Sequence, residues 1–217
     1  MTRPAAFFDM DRTLLRCNTG TLWILWLRRH GEISLYRMMR ALGWIAQYKM
    51  SVLDMEAVAS RVIADMAGQE ERELVRKTQA FFEEWVERQV APKALLAIER
   101  HRAEGHVVAI LSSSTPYVVE PLAAKLGIEH SICTRVRVSD GRFDGTHVKP
   151  VCYGAGKVHW AEAFAAAQGV DLGKSYFYTD SYSDLPMLER VGVQRVVNPD
   201  TRLKRHAHRR GWPVEDW

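Results

Sequence analysis

Leu35, Met38, Met39, Leu42 and Ile45 recur at the three-to-four-residue spacing of an amphipathic helix. Val52, Met55, Ala59, Val62 and Met66 repeat the pattern, and Leu74, Phe81 and Trp85 line one side of a third segment. Gly20, Gly31, Ser51 and Gly68 fall near the expected joins, and Pro92 opens the next helix. The region between residues 17 and 90 therefore reads as a small helical bundle.

Beyond residue 100 the pattern changes to short, continuous apolar runs alternating with helical stretches. "HVVAIL" (106–111), "SYFYT" (175–179) and "QRVVN" (194–198) read as strands. Helices are predicted through "YVVEPLAAKLG", "KVHWAEAFAAAQG", "DLPMLERVG" and residues 200–210. "SICTRVRV" reads as a strand leading through the turn "SDGRFDGT" into a hairpin. Strands apolar on both faces and separated by helices imply an α/β fold with a doubly wound, mostly parallel sheet. An isolated first strand over 4–9 would leave its backbone unpaired, so it is expected to join that sheet, with the helical block inserted as a cap. The expected division is a core of 1–16 and 91–217 and a cap of 17–90.

Composition narrows the function classes. At 47% hydrophobic and 26% charged, the 217-residue chain has ample material for a core and no sign of disorder. Its net charge of +4 suits an anionic substrate and falls short of a nucleic-acid footprint. Much of that charge lies in "RLKRHAHRR", which reads as a solvated helix face. "LWILWL" is too short to span a bilayer, so neither nucleic acid nor membrane is expected as a partner. Three cysteines without a CxxC spacing, and no signal peptide, point to the reducing cytoplasm. His106, His130, His147 and His159 share no metal-ligand spacing and read as structural or surface residues.

Four features fall where strands end or helices begin. In "FFDMDRTLL", Asp9 and Asp11 share a face of an extended segment, and two neighbouring carboxylates invite a cation. In "TDSYSD", Asp180 and Asp184 lie one turn apart if a helix starts there. "LSSST" lets backbone N–H groups and the Ser112 hydroxyl approach an anion at a helix N-terminus. "GAGK" sets Lys157 at a helix start but lacks the length and hydroxyl of a Walker A loop.

In that order the four features resemble the haloacid dehalogenase superfamily, in particular its phosphoserine phosphatase-like branch, subfamily IB. "DMDRT" is similar to the family's DxDxT, "ILSSS" to its Ser/Thr motif, Lys157 to its lysine motif and "DSYSD" to its acidic motif. The resemblance implies a Rossmann-like core with a helical cap, and hydrolysis of a small phosphorylated metabolite through an aspartyl-phosphate. By it, Asp9 is the nucleophile and Asp11 the acid/base. Ser112, Ser113, Lys157 and Thr13 hold the phosphate or the nucleophile loop. Mg²⁺ is held by Asp9, the carbonyl of Asp11 and Asp180, with Asp184 orienting its water shell. Arg12 stands where the family often has glycine, and Asn18 about where the phosphoserine branch has a substrate-binding glutamate. Trp23, Trp26, Tyr36, Trp44 and Tyr48 make the cap aromatic, as packing or as a surface for a bulky substrate. Phosphoserine, histidinol phosphate and other small phosphate esters stay open, as do transfer to an alcohol by a phosphotransferase or phosphomutase, a non-catalytic binding role, and a monomer or homodimer.

Overall fold

The structure, a computed structural model, describes residues 2–40, 43 and 55–217. Leu42, Trp44, Ile45, Tyr48, Ser51 and Val52 lie outside the described residues. In chain order the first elements are β1 (Ala5–Phe8), α1 (Thr19–Arg29), α2 (Met55–Ala64), α3 (Glu71–Phe81), α4 (Pro92–Ala103), β2 (Val107–Leu111) and α5 (Pro116–Leu126). Then follow β3 (His130–Ile132), β4 (Val136–Ser139), β5 (Arg142–His147), α6 (Ala155–Gln168), β6 (Tyr176–Thr179), α7 (Leu185–Arg190), β7 (Val193–Val197), α8 (Thr201–Arg210) and β8 (Val214–Glu215). Residues 35–40 are also helical.

Strands β3, β2, β1, β6, β7 and β8 form one sheet in that spatial order, and every neighbouring pair is parallel. Alternation along β1 sends Ala5 and Phe7 into one apolar cluster and Ala6 and Phe8 into another. Helices α6, α7 and α8 cover the first face; α1, α3, α4 and α5 cover the second. Because both faces are covered, β1 and β2 are buried along their whole length, which is why they read as unbroken apolar runs. Burying Phe7 and Phe8 stabilises by roughly 1.5–3 kcal/mol each, and Phe8 also stacks on Tyr178 at 4.4 Å. Crossovers leave β1 towards both edges of the sheet, so its carboxyl end lies at a topological switch point.

The predicted strand "SICTRVRV" is two strands. The chain leaves the sheet after Ile132 because its backbone is claimed elsewhere: Thr134 N donates to Ser114 O at 3.0 Å and Thr134 Oγ1 to Ser113 O at 2.9 Å. The β4–β5 hairpin that follows is sewn to the helical insert. Phe143 N donates to Gln69 O, Gly68 N to Phe143 O, and Arg142 pairs with Glu70 at 2.8 Å. At the far end of the hairpin, His147 meets Glu56 of α2 at 2.9 Å. Gly20 is no join; it sits in the first turn of α1. β8, two residues long, is too short for periodicity to disclose.

Of the other histidines, His106 and His130 are half-buried and His159 is exposed. His106 shares a 2.8 Å Nδ1–Nδ1 hydrogen bond with His101, whose Nε2 meets the Tyr178 hydroxyl at 2.9 Å. His130 packs edge-on against Phe164 and His159 against Trp160. Among the described residues, no helix is long and apolar enough to cross a membrane.

Candidate active site

The carboxyl ends of β1, β2 and β6 open into a cleft of about 290 Å³. Asp9, Asp11, Ser112, Ser113, Lys157, Asp180 and Asp184 all line it, so seven of the expected site residues converge from four separate chain segments. Thr13 is fully buried and is not among the lining residues; its hydroxyl finds no hydrogen-bond partner among the described residues.

Asp9 follows β1 directly, and its N–H donates to Tyr178 O of β6 at 2.9 Å. Lys157 Nζ lies between two carboxylates, 2.6 Å from Asp9 Oδ1 and 2.7 Å from Asp184 Oδ2. Asp184 Oδ2 also accepts from Thr179 Oγ1 at 2.7 Å. Burial alone pulls the Lys157 pKa down, but the charges of Asp184 and Asp9 win and hold it above the ordinary lysine value. The ammonium is thus charged although the side chain is only 3% exposed.

The glycines of "GAGK" place that lysine. Gly154 adopts φ 52°, ψ −121°, a region closed to L side chains. Gly156 lets α6 approach the preceding loop so closely that a Cβ would stand 1.9 Å from Val151 O. Gly156→Ala is therefore expected to cost about 1–3 kcal/mol through overpacking. It should also reduce turnover by moving Lys157, and paired thermal melts and rate measurements check both effects.

Asp11 is held from the opposite side. Asn18 Nδ2 donates to Asp11 Oδ2 at 2.9 Å and Thr19 N to Asp11 Oδ1 at 3.0 Å, while Asn18 Oδ1 caps α1 through Thr21 N. Burial outweighs these bonds and raises the Asp11 pKa above the usual carboxylate range. Between the two aspartates and Thr13 the chain turns through Arg12 at φ 56°, a left-handed conformation that costs an L residue about 1–2 kcal/mol. Asn198 Nδ2 bonds Arg12 O at 2.9 Å and Arg12 N bonds Cys17 O at 2.9 Å, which fixes the turn.

The donor set fits a hard divalent cation. Asp180 makes no side-chain hydrogen bond or ion pair among the described residues. Burial pushes its pKa up to about 8, and Asp9 and Asp184 add to the rise. Asp9 is pushed up to about 7, chiefly by burial, against the pull of Lys157. Lys157 pairs with only Asp9 and Asp184 of the four carboxylates, and oxygen ligands of this kind suit Mg²⁺.

Residues 6–189 match the family model for haloacid dehalogenase-like hydrolases. The chain belongs to that family. It is a hydrolase of the phosphatase kind, and is 28% identical to a histidinol-phosphatase of Neisseria meningitidis serogroup C over 214 residues, covering 96% of each chain. It is 30% identical to the phosphoserine phosphatase SerB1 of Mycobacterium tuberculosis, across 98% of this chain and 70% of that one. A crystal structure of a Bordetella pertussis Tohama I protein of unknown function superimposes with a TM-score of 0.89 at 29% identity, over 100% of this chain and 99% of the other.

Two features of this hydrolase's cleft escape the sequence reading. Asn18 clamps Asp11 and caps α1, neither of which the sequence reading assigns to it. Arg202 was expected on a solvated helix face, yet it lines the cleft, with its guanidinium 4.3 Å from the Tyr182 ring centroid. It arrives there because Asp200 N donates to Asp180 O at 2.8 Å and Asp200 Oδ2 accepts from Tyr182 N at 2.7 Å. Those bonds tie the start of α8 to the loop after β6.

Proposed function

We propose that this chain is a Mg²⁺-dependent phosphomonoester hydrolase that acts on a small phosphorylated metabolite through an aspartyl-phosphate on Asp9. The observation that carries this reading is the arrangement at the end of β1: Asp9 engaged by Lys157 beside Asp180, a carboxylate that makes no ion pair among the described residues. Asp9, Asp180 and the Asp11 carbonyl would hold Mg²⁺, which supplies positive charge beside the phosphate when bound.

An oxygen of Asp9 attacks phosphorus as the bond to the leaving alkoxide breaks, and Asp11 delivers a proton to that alkoxide. Burial raises the Asp11 pKa above that of a free aspartate, the direction that suits a proton carrier. Water then attacks the aspartyl-phosphate with Asp11 as base, and inorganic phosphate leaves. Lys157, the Ser112 hydroxyl and the backbone around Ser113 offset charge on the equatorial oxygens. Asp184 holds Lys157 in place and would orient the waters of the bound ion. Thr13, buried behind the turn, packs the nucleophile loop and leaves phosphate contact to the others. Three unpaired cysteines support a reducing compartment, the cytoplasm.

The test is release of inorganic phosphate from phenyl phosphate with Mg²⁺ present and then chelated. Chelation should abolish turnover, and Asp180→Asn should raise the Mg²⁺ concentration needed for half-maximal rate by tenfold or more. Turnover indifferent to chelation would refute the metal's part in this reading.

A further inference from the structure

The cleft holds two cations that the proposed chemistry does not use. Arg12 and Arg202 both line it, and among the described residues neither guanidinium pairs with a carboxylate. Arg202 is set over the Tyr182 ring, a contact that orients the planar guanidinium. Arg12 is placed by a turn of positive φ pinned at both its N–H and its carbonyl. Glycine would adopt that φ freely, so the backbone gives no reason for an arginine there. The amide of Asn18, another polar group that lines the cleft, is occupied at both ends by Asp11 and Thr21.

We propose that Arg12 and Arg202 recognise a second anionic group on the substrate, so that the preferred phosphomonoester carries a carboxylate or another phosphate on its alcohol part. This rests on the phosphomonoesterase reading and specifies its substrate class. Guanidinium forks match carboxylate and phosphate oxygens in a bidentate manner, and a bond of that kind is worth roughly tenfold in affinity or more. The same pair disfavours an alcohol part that bears only positive charge. A substrate of the phosphoserine kind, with its carboxylate, fits this rim; one of the histidinol phosphate kind, bearing an amine and an imidazole, does not.

The experiment compares phenyl phosphate with 4-carboxyphenyl phosphate, whose reacting ends are alike, at fixed Mg²⁺. The wild-type protein should favour the carboxylated ester by about tenfold in kcat/KM, chiefly through KM, and salt should shrink the preference. Arg12→Gln and Arg202→Gln should each cut that ratio severalfold, the double variant should bring it to about one, and Arg202→Lys should retain part of it. Arg12→Gly should lose discrimination with no loss of thermal stability, an outcome that a purely structural arginine does not give. A wild-type ratio near one overturns the proposal. So does a ratio unchanged in the double variant, or an equal loss on both esters, which would mean that the guanidiniums serve only the aspartates or the transferred phosphate. Failure of the wild-type protein to hydrolyse either ester would instead bring down the phosphomonoesterase reading, and the proposal with it.

Discussion

Asp9→Asn is expected to lower turnover of an aryl phosphate by at least about 10³-fold, since it removes the proposed nucleophile and leaves only binding and charge stabilisation. The fold should not suffer. Asp9 is a carboxylate whose burial pushes its pKa up to about 7, well above the 3.8 of a free aspartate. A carboxyl whose folded pKa is raised contributes stability only while protonated, and that contribution is lost as pH rises from about 4 through 7. Near pH 8 the wild-type protein therefore carries an unfavourable charge that the neutral amide lacks. Lys157 keeps Asp184 as a partner, 2.7 Å away.

Melts without Mg²⁺ at pH 8 should show the variant at least as stable as wild type. Added Mg²⁺ should raise the wild-type Tm and move the variant much less, because a ligand bound only by the folded state stabilises in proportion to its occupancy. Substantial residual turnover would remove Asp9 as nucleophile. Intact turnover lost only together with the fold would make Asp9 a structural residue.

What the sequence disclosed follows from how local its signals are. β1 was legible because both faces are covered, so Ala5 to Phe8 form an unbroken apolar run. Asp9, Asp11, Lys157, Asp180 and Asp184 were legible because each sits at a strand end or helix start whose turn chemistry is written within a few residues. Arg202 was not. Its place in the cleft depends on bonds from Asp200 to Asp180 and Tyr182, 18 or more residues away in sequence, and periodicity sees only a cationic helix. The hairpin's attachment to the insert was hidden for the same reason, being made by Gly68, Gln69 and Glu70 reaching Phe143 and Arg142. Asn18 shows the limit from another side: the resemblance sets it about where a substrate-binding glutamate stands, whereas its grip on Asp11 needs the sharp turn at Arg12.

Lys157→Met should produce the largest loss of stability of any single change in the cleft. The methionine fills much of the same volume, so packing changes little, but Asp9 and Asp184 lose the ammonium that lies 2.6 and 2.7 Å from them. Breaking a buried pair by removing one partner costs about 3–5 kcal/mol, because the remaining charge is desolvated and uncompensated. The loss should depend on pH with a definite sign. Removing the cation raises the folded-state pKa of Asp9 further above its unfolded value, so the folded variant binds more protons than the unfolded chain across the neutral range. Its stability must then rise as pH falls from about 8 towards 5, whereas an ordinary core defect costs about the same at both. Urea denaturation at the two pH values measures the difference directly. Mg²⁺ should recover part of the stability at pH 8 by restoring positive charge, yet turnover should stay depressed by about 10²-fold or more, because the ammonium proposed to offset charge on the phosphoryl oxygens is gone. A uniform, pH-independent loss would show that Lys157 acts through its packing rather than through the charge it holds between Asp9 and Asp184.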